Sequence, residues 1–173
     1  MTMHQLRQGV RAAAPAVAML LGVLILVVPV RLGQGFIPTP LFPLAIVFLY
    51  AVYDQEALPA PVVFAIGIFH DLIYGGGVGV WAATYLALQY LVFTQSEYLQ
   101  GRVRHVIWLA FAVAATMVGL LFWATESLLA GGWLPFWPLA FQWGVTMAVY
   151  PFIATAFFWL RSRAAMDVER RAP

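Results

Sequence analysis

The sequence predicts an all-α integral membrane protein, a six-transmembrane-helix bundle with both termini cytoplasmic. Three observations carry that expectation. The first is composition: hydrophobic types make up 64% of the 173 residues and charged types only 9%, where soluble domains hold about one half and one quarter. Mean hydropathy is +0.88, which also excludes a disordered chain, because disorder needs low hydrophobicity and high charge. The second is a series of six apolar stretches, each near the length of about 20 residues that a helix needs to cross a bilayer. The third is the placement of nine basic residues, all of them arginine. An even number of spans puts both ends on one side. With that side cytoplasmic, Arg7, Arg11, Arg102, Arg104, Arg161, Arg163, Arg170 and Arg171 lie inside and only Arg31 lies outside. Arginine excess in short cytoplasmic segments orients membrane helices, so the net charge of +2 reports topology and not nucleic-acid binding.

The stretches form a single transmembrane domain, residues 1–160, followed by a polar cytoplasmic tail, residues 161–173. The first span covers 12–30; it follows Arg7 and Arg11, is longer than a signal peptide's apolar region, and has no clean cleavage site after it. The second covers 36–53, with Pro38, Pro40 and Pro43 at its start, where proline suits a helix. Asp54, Glu56, Pro59 and Pro61 separate it from the third span, 60–74. A glycine run from Gly75 to Gly79 makes a tight turn into the fourth, 78–94. A polar segment from Gln95 to Arg104 precedes the fifth, 105–129. Gly131, Gly132 and Pro135 turn the chain into the sixth, 137–160. Tyr53, Tyr98, Trp108 and Trp159 then fall near the inner edge, and Tyr74, Trp81, Trp133 and Trp137 near the outer edge, as amphipathic rings at an interface do.

Lipid is as apolar as leucine, so close approach at small residues and interhelical hydrogen bonds must hold such a bundle together. Ala14, Ala18 and Gly22 share one face of the first span, Gly79, Ala83 and Ala87 one face of the fourth, and Ala115 and Gly119 one face of the fifth. The Ala14–Ala18–Gly22 face is the expected docking surface for a partner's single helix.

Asp71 is the deepest charged residue. It lies about 16 Å along the third span from Ala60 at 1.5 Å per residue, and a carboxylate there is costly unless it is paired or hydrogen-bonded. Gly67, Asp71 and Gly75 share a helix face at i, i+4, i+8. Asp71 is therefore expected to tie the broken helix–turn–helix together, accepting from backbone amides near Val78 to Val80; a proton or solute site is the competing reading. His70 points to another face, and His4 and His105 lie at the edges, so no metal site is expected. With no cysteine, thiol chemistry is excluded. A second deep aspartate for intramembrane aspartyl proteolysis is missing. Ser96, Ser127 and Ser162 lie near interfaces outside any Gly-x-Ser-x-Gly, and phosphate-binding and His-Glu-x-x-His motifs are absent. The chain reads as non-enzymatic and without a cofactor. Gln89, Glu126, Gln142 and Thr146 are expected to make interhelical hydrogen bonds, the alternative being a small cavity shared with Asp71.

From Pro43 to Tyr98, about a third of the chain, the sequence resembles the rod-shape-determining protein MreD family. The resemblance rests on Pro43 opening the second span, Leu49–Tyr50, Pro59, Gly67-Ile-Phe-His-Asp71, Gly75, Val78–Gly79 and Tyr85. Val78, His70 and Leu44 depart from the family's usual Leu, aliphatic residue and Asp. The resemblance implies a non-enzymatic component of the bacterial cell inner membrane, part of the cell-wall elongation machinery. Its implied partners are MreC, RodA with its partner transpeptidase, and MreB, besides membrane lipids. It marks Pro43, Gly67, Asp71, Gly75 and Gly79 as the structural motif. The family also resembles in fold the substrate-binding subunits of energy-coupling transporters, which makes a solute-uptake subunit the second expectation.

Overall fold

The computed structural model describes the backbone of residues 3–27, 31–32, 35–36, 39–75 and 77–169, and the side chains of 13–26, 39–75 and 77–163. Its helices are α1 (Met3–Val27), α2 (Phe42–Tyr53), α3 (Ala60–Tyr74), α4 (Val80–Phe93), the single turn α5 (Ser96–Leu99), α6 (Arg104–Leu129) and α7 (Phe136–Glu169). A 3₁₀ turn at Gln55–Ala57 joins α2 to α3. Among the described residues the regular structure is helical apart from one antiparallel pair of two-residue strands, β1 (Arg31–Leu32) and β2 (Gly35–Phe36), between α1 and α2.

Three features differ from the sequence expectation. The second apolar stretch is helical only from Phe42, because residues 35–36 pair as a strand and Pro40 and Pro43 place the helix start after them. The polar segment after α4 contains the extra turn α5. Residues 161–169 of the expected polar tail are helical, as a continuation of α7, since Arg, Ala, Met and Glu favour helix and neither Gly nor Pro falls among them. The expected end of the first span at Val30, Pro38 ahead of the second, and residues 170–173 lie outside the described residues.

A helix that is apolar all round belongs inside a bundle, and α2 is that helix. Eight of its twelve residues are buried, and it packs against α1, α4 and α7. Phe48 meets Phe111 of α6 edge-on at 5.2 Å, and Phe111 stacks on Tyr150 of α7 at 4.1 Å. The α3–α4 hairpin packs against α1 and α2 on one side and α6 on the other.

The periphery is different in kind. Among the described residues, α6 and residues Phe136–Arg163 of α7 are the helices long and apolar enough to cross a membrane; Ala13–Leu26, α2, α3 and α4 are shorter apolar helices. The most apolar windows of α6 and α7 are only 33% and 17% buried. Leu109, Val113, Met117, Leu121, Phe152 and Leu160 all face outward.

Candidate functional site

The site is the joint between α3 and α4. Every helix starts with amides that lack an intrahelical partner, and usually the N-cap side chain takes one of them. Here the N-cap is Gly79, at φ 94°, which has no side chain to offer. Asp71 supplies the cap from α3. Its Oδ2 accepts from the Gly79 N–H at 2.9 Å and the Ala82 N–H at 3.4 Å, and its Oδ1 accepts from the Trp81 N–H at 2.9 Å. The side chain is 1% exposed. Buried charge is tolerated when hydrogen bonds replace water, and the positive end of α4 adds favourable electrostatics. The Gly79 amide lies within the expected stretch from Val78 to Val80, and the Trp81 and Ala82 amides lie one and two residues beyond it, because the carboxylate also sits over the second and third helical residues.

The glycines of the motif do two different jobs. Gly67 lies one turn before Asp71 at the closest approach of α3 and α4. A methyl group there would overlap the Ala82 backbone and lie 2.9 Å from its nitrogen, so Gly67 sets the distance that brings Asp71 over the α4 amides. Gly75, at φ 76°, ends α3 and donates its N–H to the Asp71 carbonyl at 3.0 Å. A methyl at Gly75 or Gly79 would meet nothing within 4 Å; their requirement is the left-handed backbone itself. Gly77 faces α6, where Glu126 Oε1 accepts its N–H at 3.4 Å.

His70 turns away from Asp71, as adjacent helical residues must. Its Nδ1 lies 2.8 Å from the Tyr85 hydroxyl, and its ring stacks on Trp81 at 4.5 Å. Trp81 in turn lies 4.3 Å from Phe122 of α6. The sequence reading missed this pair; the available signal was Trp81 and Tyr85 four residues apart on one face of α4.

Pro43 stands in the first turn of α2, buried against α1. A methyl on Gly22 would come 3.2 Å from Phe42 Cβ and 3.3 Å from the Pro43 ring. Gly22 is thus occupied within the fold, whereas Ala14 and Ala18 are exposed. The expected partner face is therefore divided. Its open part continues through Val17, Leu21 and Ile25, all exposed.

The remaining polar residues disperse and do not gather around Asp71. Gln89 donates to the Leu58 carbonyl at 2.7 Å, and Gln142 to the Thr39 carbonyl at 3.1 Å. Thr146 accepts from the Leu41 N–H at 2.9 Å. At the other end of α2, each of the last four carbonyls finds a donor. The Asp54 N–H serves Tyr50 at 2.9 Å, Gln55 serves Ala51 at 3.0 Å, Gln100 serves Val52 at 2.9 Å and Arg161 serves Tyr53 at 3.1 Å. Among the described residues no group of three or more His, Asp or Glu side chains could hold a metal ion. Asp71 is held by three amides and has no neighbouring nucleophile or base among its hydrogen-bond partners, so its arrangement suits holding a joint.

Compared with protein-family models, curated proteins and solved structures, the chain finds no match.

Proposed function

We propose that this chain is a non-enzymatic, multi-pass component of the bacterial inner membrane that supports rod-shaped growth as an MreD-type member of the cell-wall elongation machinery, binding MreC and the wall synthases RodA and its partner transpeptidase, with MreB a further partner. The observation that carries the reading is the Gly67–Asp71–Gly75–Gly79 element. These four of the residues on which the family resemblance rests together build one capped joint, so this part of the motif has a physical reason to be kept as a unit. Membrane residence is supported by the outward-facing apolar surfaces of α6 and α7. At about 1.5 Å per residue, a helix of α6's length reaches about 39 Å, more than a bilayer's apolar thickness of roughly 30 Å. With no extramembrane domain among the described residues, helix faces are the natural partner surface, and the exposed strip from Ala14 to Ile25 on α1 is the one proposed for a partner's single helix.

The test is affinity purification from gently solubilised membranes with mass-spectrometric identification of what co-purifies. Recovery of an MreC-like protein together with the wall synthases is the expected result. Recovery of an ATPase pair with a coupling membrane subunit would instead make the chain a solute-uptake subunit. Bulky substitutions at Ala18 that leave the complex intact would exclude the α1 strip.

A further inference from the structure

A cleft of about 110 Å³ opens between α2, α6 and α7 at the arginine-bearing end of the bundle, walled by Tyr53, Arg104, Trp108, Tyr150, Pro151 and Phe158 among others. Pro151 lies inside α7, and a proline leaves the carbonyl four residues earlier without its helical donor. That carbonyl, on Met147, accepts from the Trp108 indole N–H at 3.0 Å, and the Pro151 carbonyl accepts from the Thr155 hydroxyl at 2.8 Å. These pairings use the donor hydrogens of the indole and the threonine hydroxyl. The Tyr150 hydroxyl is left over: the residue is 2% exposed, lines the cleft, and its oxygen has no hydrogen-bond partner. At the mouth, α6 begins at Arg104, with no side-chain cap at Val103. The Arg104 guanidinium, 5.9 Å over the Phe158 ring, therefore stands beside the positive end of a 26-residue helix.

We infer that this cleft binds one anionic phospholipid, with its phosphate at Arg104 and the α6 N-terminus and an acyl-ester carbonyl accepting a hydrogen bond from Tyr150. A cleft of this size takes the phosphate and the first carbons of a lipid, not the whole molecule. The acyl chains continue along the outward apolar faces of α6 and α7. A buried hydroxyl needs an acceptor, and a cation above an apolar slot calls for a ligand with an anionic head and an apolar body. The inference rests on the membrane reading above, but not on the choice of protein partners.

The experiment uses the full chain reconstituted in phosphatidylcholine vesicles, with Trp108 as reporter. Phosphatidylglycerol or phosphatidylcholine brominated high on its acyl chain is titrated in, and quenching attributable to Trp108 is taken as the difference from a Trp108→Phe variant. The expected result is preferential quenching by the brominated phosphatidylglycerol. Arg104→Gln should reduce that preference roughly fivefold, the effect of about one basic residue at an anionic surface. Tyr150→Phe should weaken quenching while thermal stability holds. Equal quenching by the two lipids would overturn the site, as would an equal effect of Arg102→Gln, whose guanidinium lies over Tyr98 outside the cleft. Release of quenching by millimolar inorganic phosphate at constant ionic strength would make the occupant a free anion and overturn the lipid. Flotation of the chain with the vesicles reads membrane residence separately, so failure of that reading is distinguishable from failure of the site.

Discussion

Asp71 joins two helices through one carboxylate, and the chemistry of that group dictates what can replace it. Asparagine keeps one acceptor oxygen in nearly the same volume, so Asp71→Asn should lose about 1 kcal/mol, near the usual value of a capping interaction. Leucine removes both acceptors and leaves the Gly79, Trp81 and Ala82 amides facing an apolar side chain. Each buried donor without a partner costs roughly 1–3 kcal/mol, so Asp71→Leu should abolish assembly or cost about 3 kcal/mol or more. Thermal unfolding of the detergent-solubilised protein, followed by tryptophan fluorescence, measures both. Equal behaviour of the two variants would mean that the carboxylate is not holding the joint through hydrogen bonds.

At the scale of the helix, α2 is the informative element. Neighbouring side chains complete its ends: Thr146 at the start, and Gln55, Gln100 and Arg161 at the finish. Thr146→Val keeps the shape of the side chain but removes the acceptor for the Leu41 N–H. Stability should fall by about 1–3 kcal/mol, the cost of stranding a buried amide. Thr146→Ser keeps the hydroxyl and should recover most of the loss. Denaturant unfolding of the two variants in the same detergent checks this. A valine variant as stable as the serine variant would show that the α2 end is satisfied in another way.

At the scale of the whole molecule, the described core is apolar and so are the outward faces of α6 and α7, which supports the membrane residence proposed above. In the proposed membrane frame, eight of nine arginines fall on one side, and both chain ends are on that side. A fluorescent-protein fusion at either end should therefore be fluorescent, and an alkaline phosphatase fusion at either end inactive. A phosphatase fused in the Gly131–Pro135 turn should be active. Opposite behaviour of the two ends would mean an odd number of spans and would dismantle the six-span frame. Helices α2, α3 and α4, of 12, 15 and 14 residues, are shorter than a full span. In that frame they are completed by their connections or by local thinning of the bilayer.

Features carried by neighbours in sequence were legible beforehand. Hydropathy marked the apolar stretches because a helix needs a long unbroken apolar run. Gly75 and Gly79 marked the turn because left-handed backbone nearly requires glycine. The spacing of Gly67, Asp71 and Gly75 placed the carboxylate beside the start of α4, within one helical turn of the amides it meets. The same locality left the α7 boundary unreadable, because a run of Arg, Ala, Met and Glu is equally good as helix or as polar tail.

What depended on distant neighbours was decided only in three dimensions. The composition of α2, with no charged residue, suits an enclosed helix, but which helices enclose it follows from how the bundle packs. Gly22 reads as part of the same small-residue face as Ala14 and Ala18, yet packing assigns it to Pro43 and leaves the alanines open. Gln142 and Thr146 are more than a hundred residues from the groups they bond, and Arg161 reaches the end of α2 from the far end of the chain. The sequence by itself determined an apolar helical chain with a glycine-bounded, aspartate-bearing joint, because those are properties of short segments. The tertiary structure decided which surfaces are buried, which backbone groups each polar side chain completes, and where a charged cleft opens, because each depends on helices brought together across the whole chain.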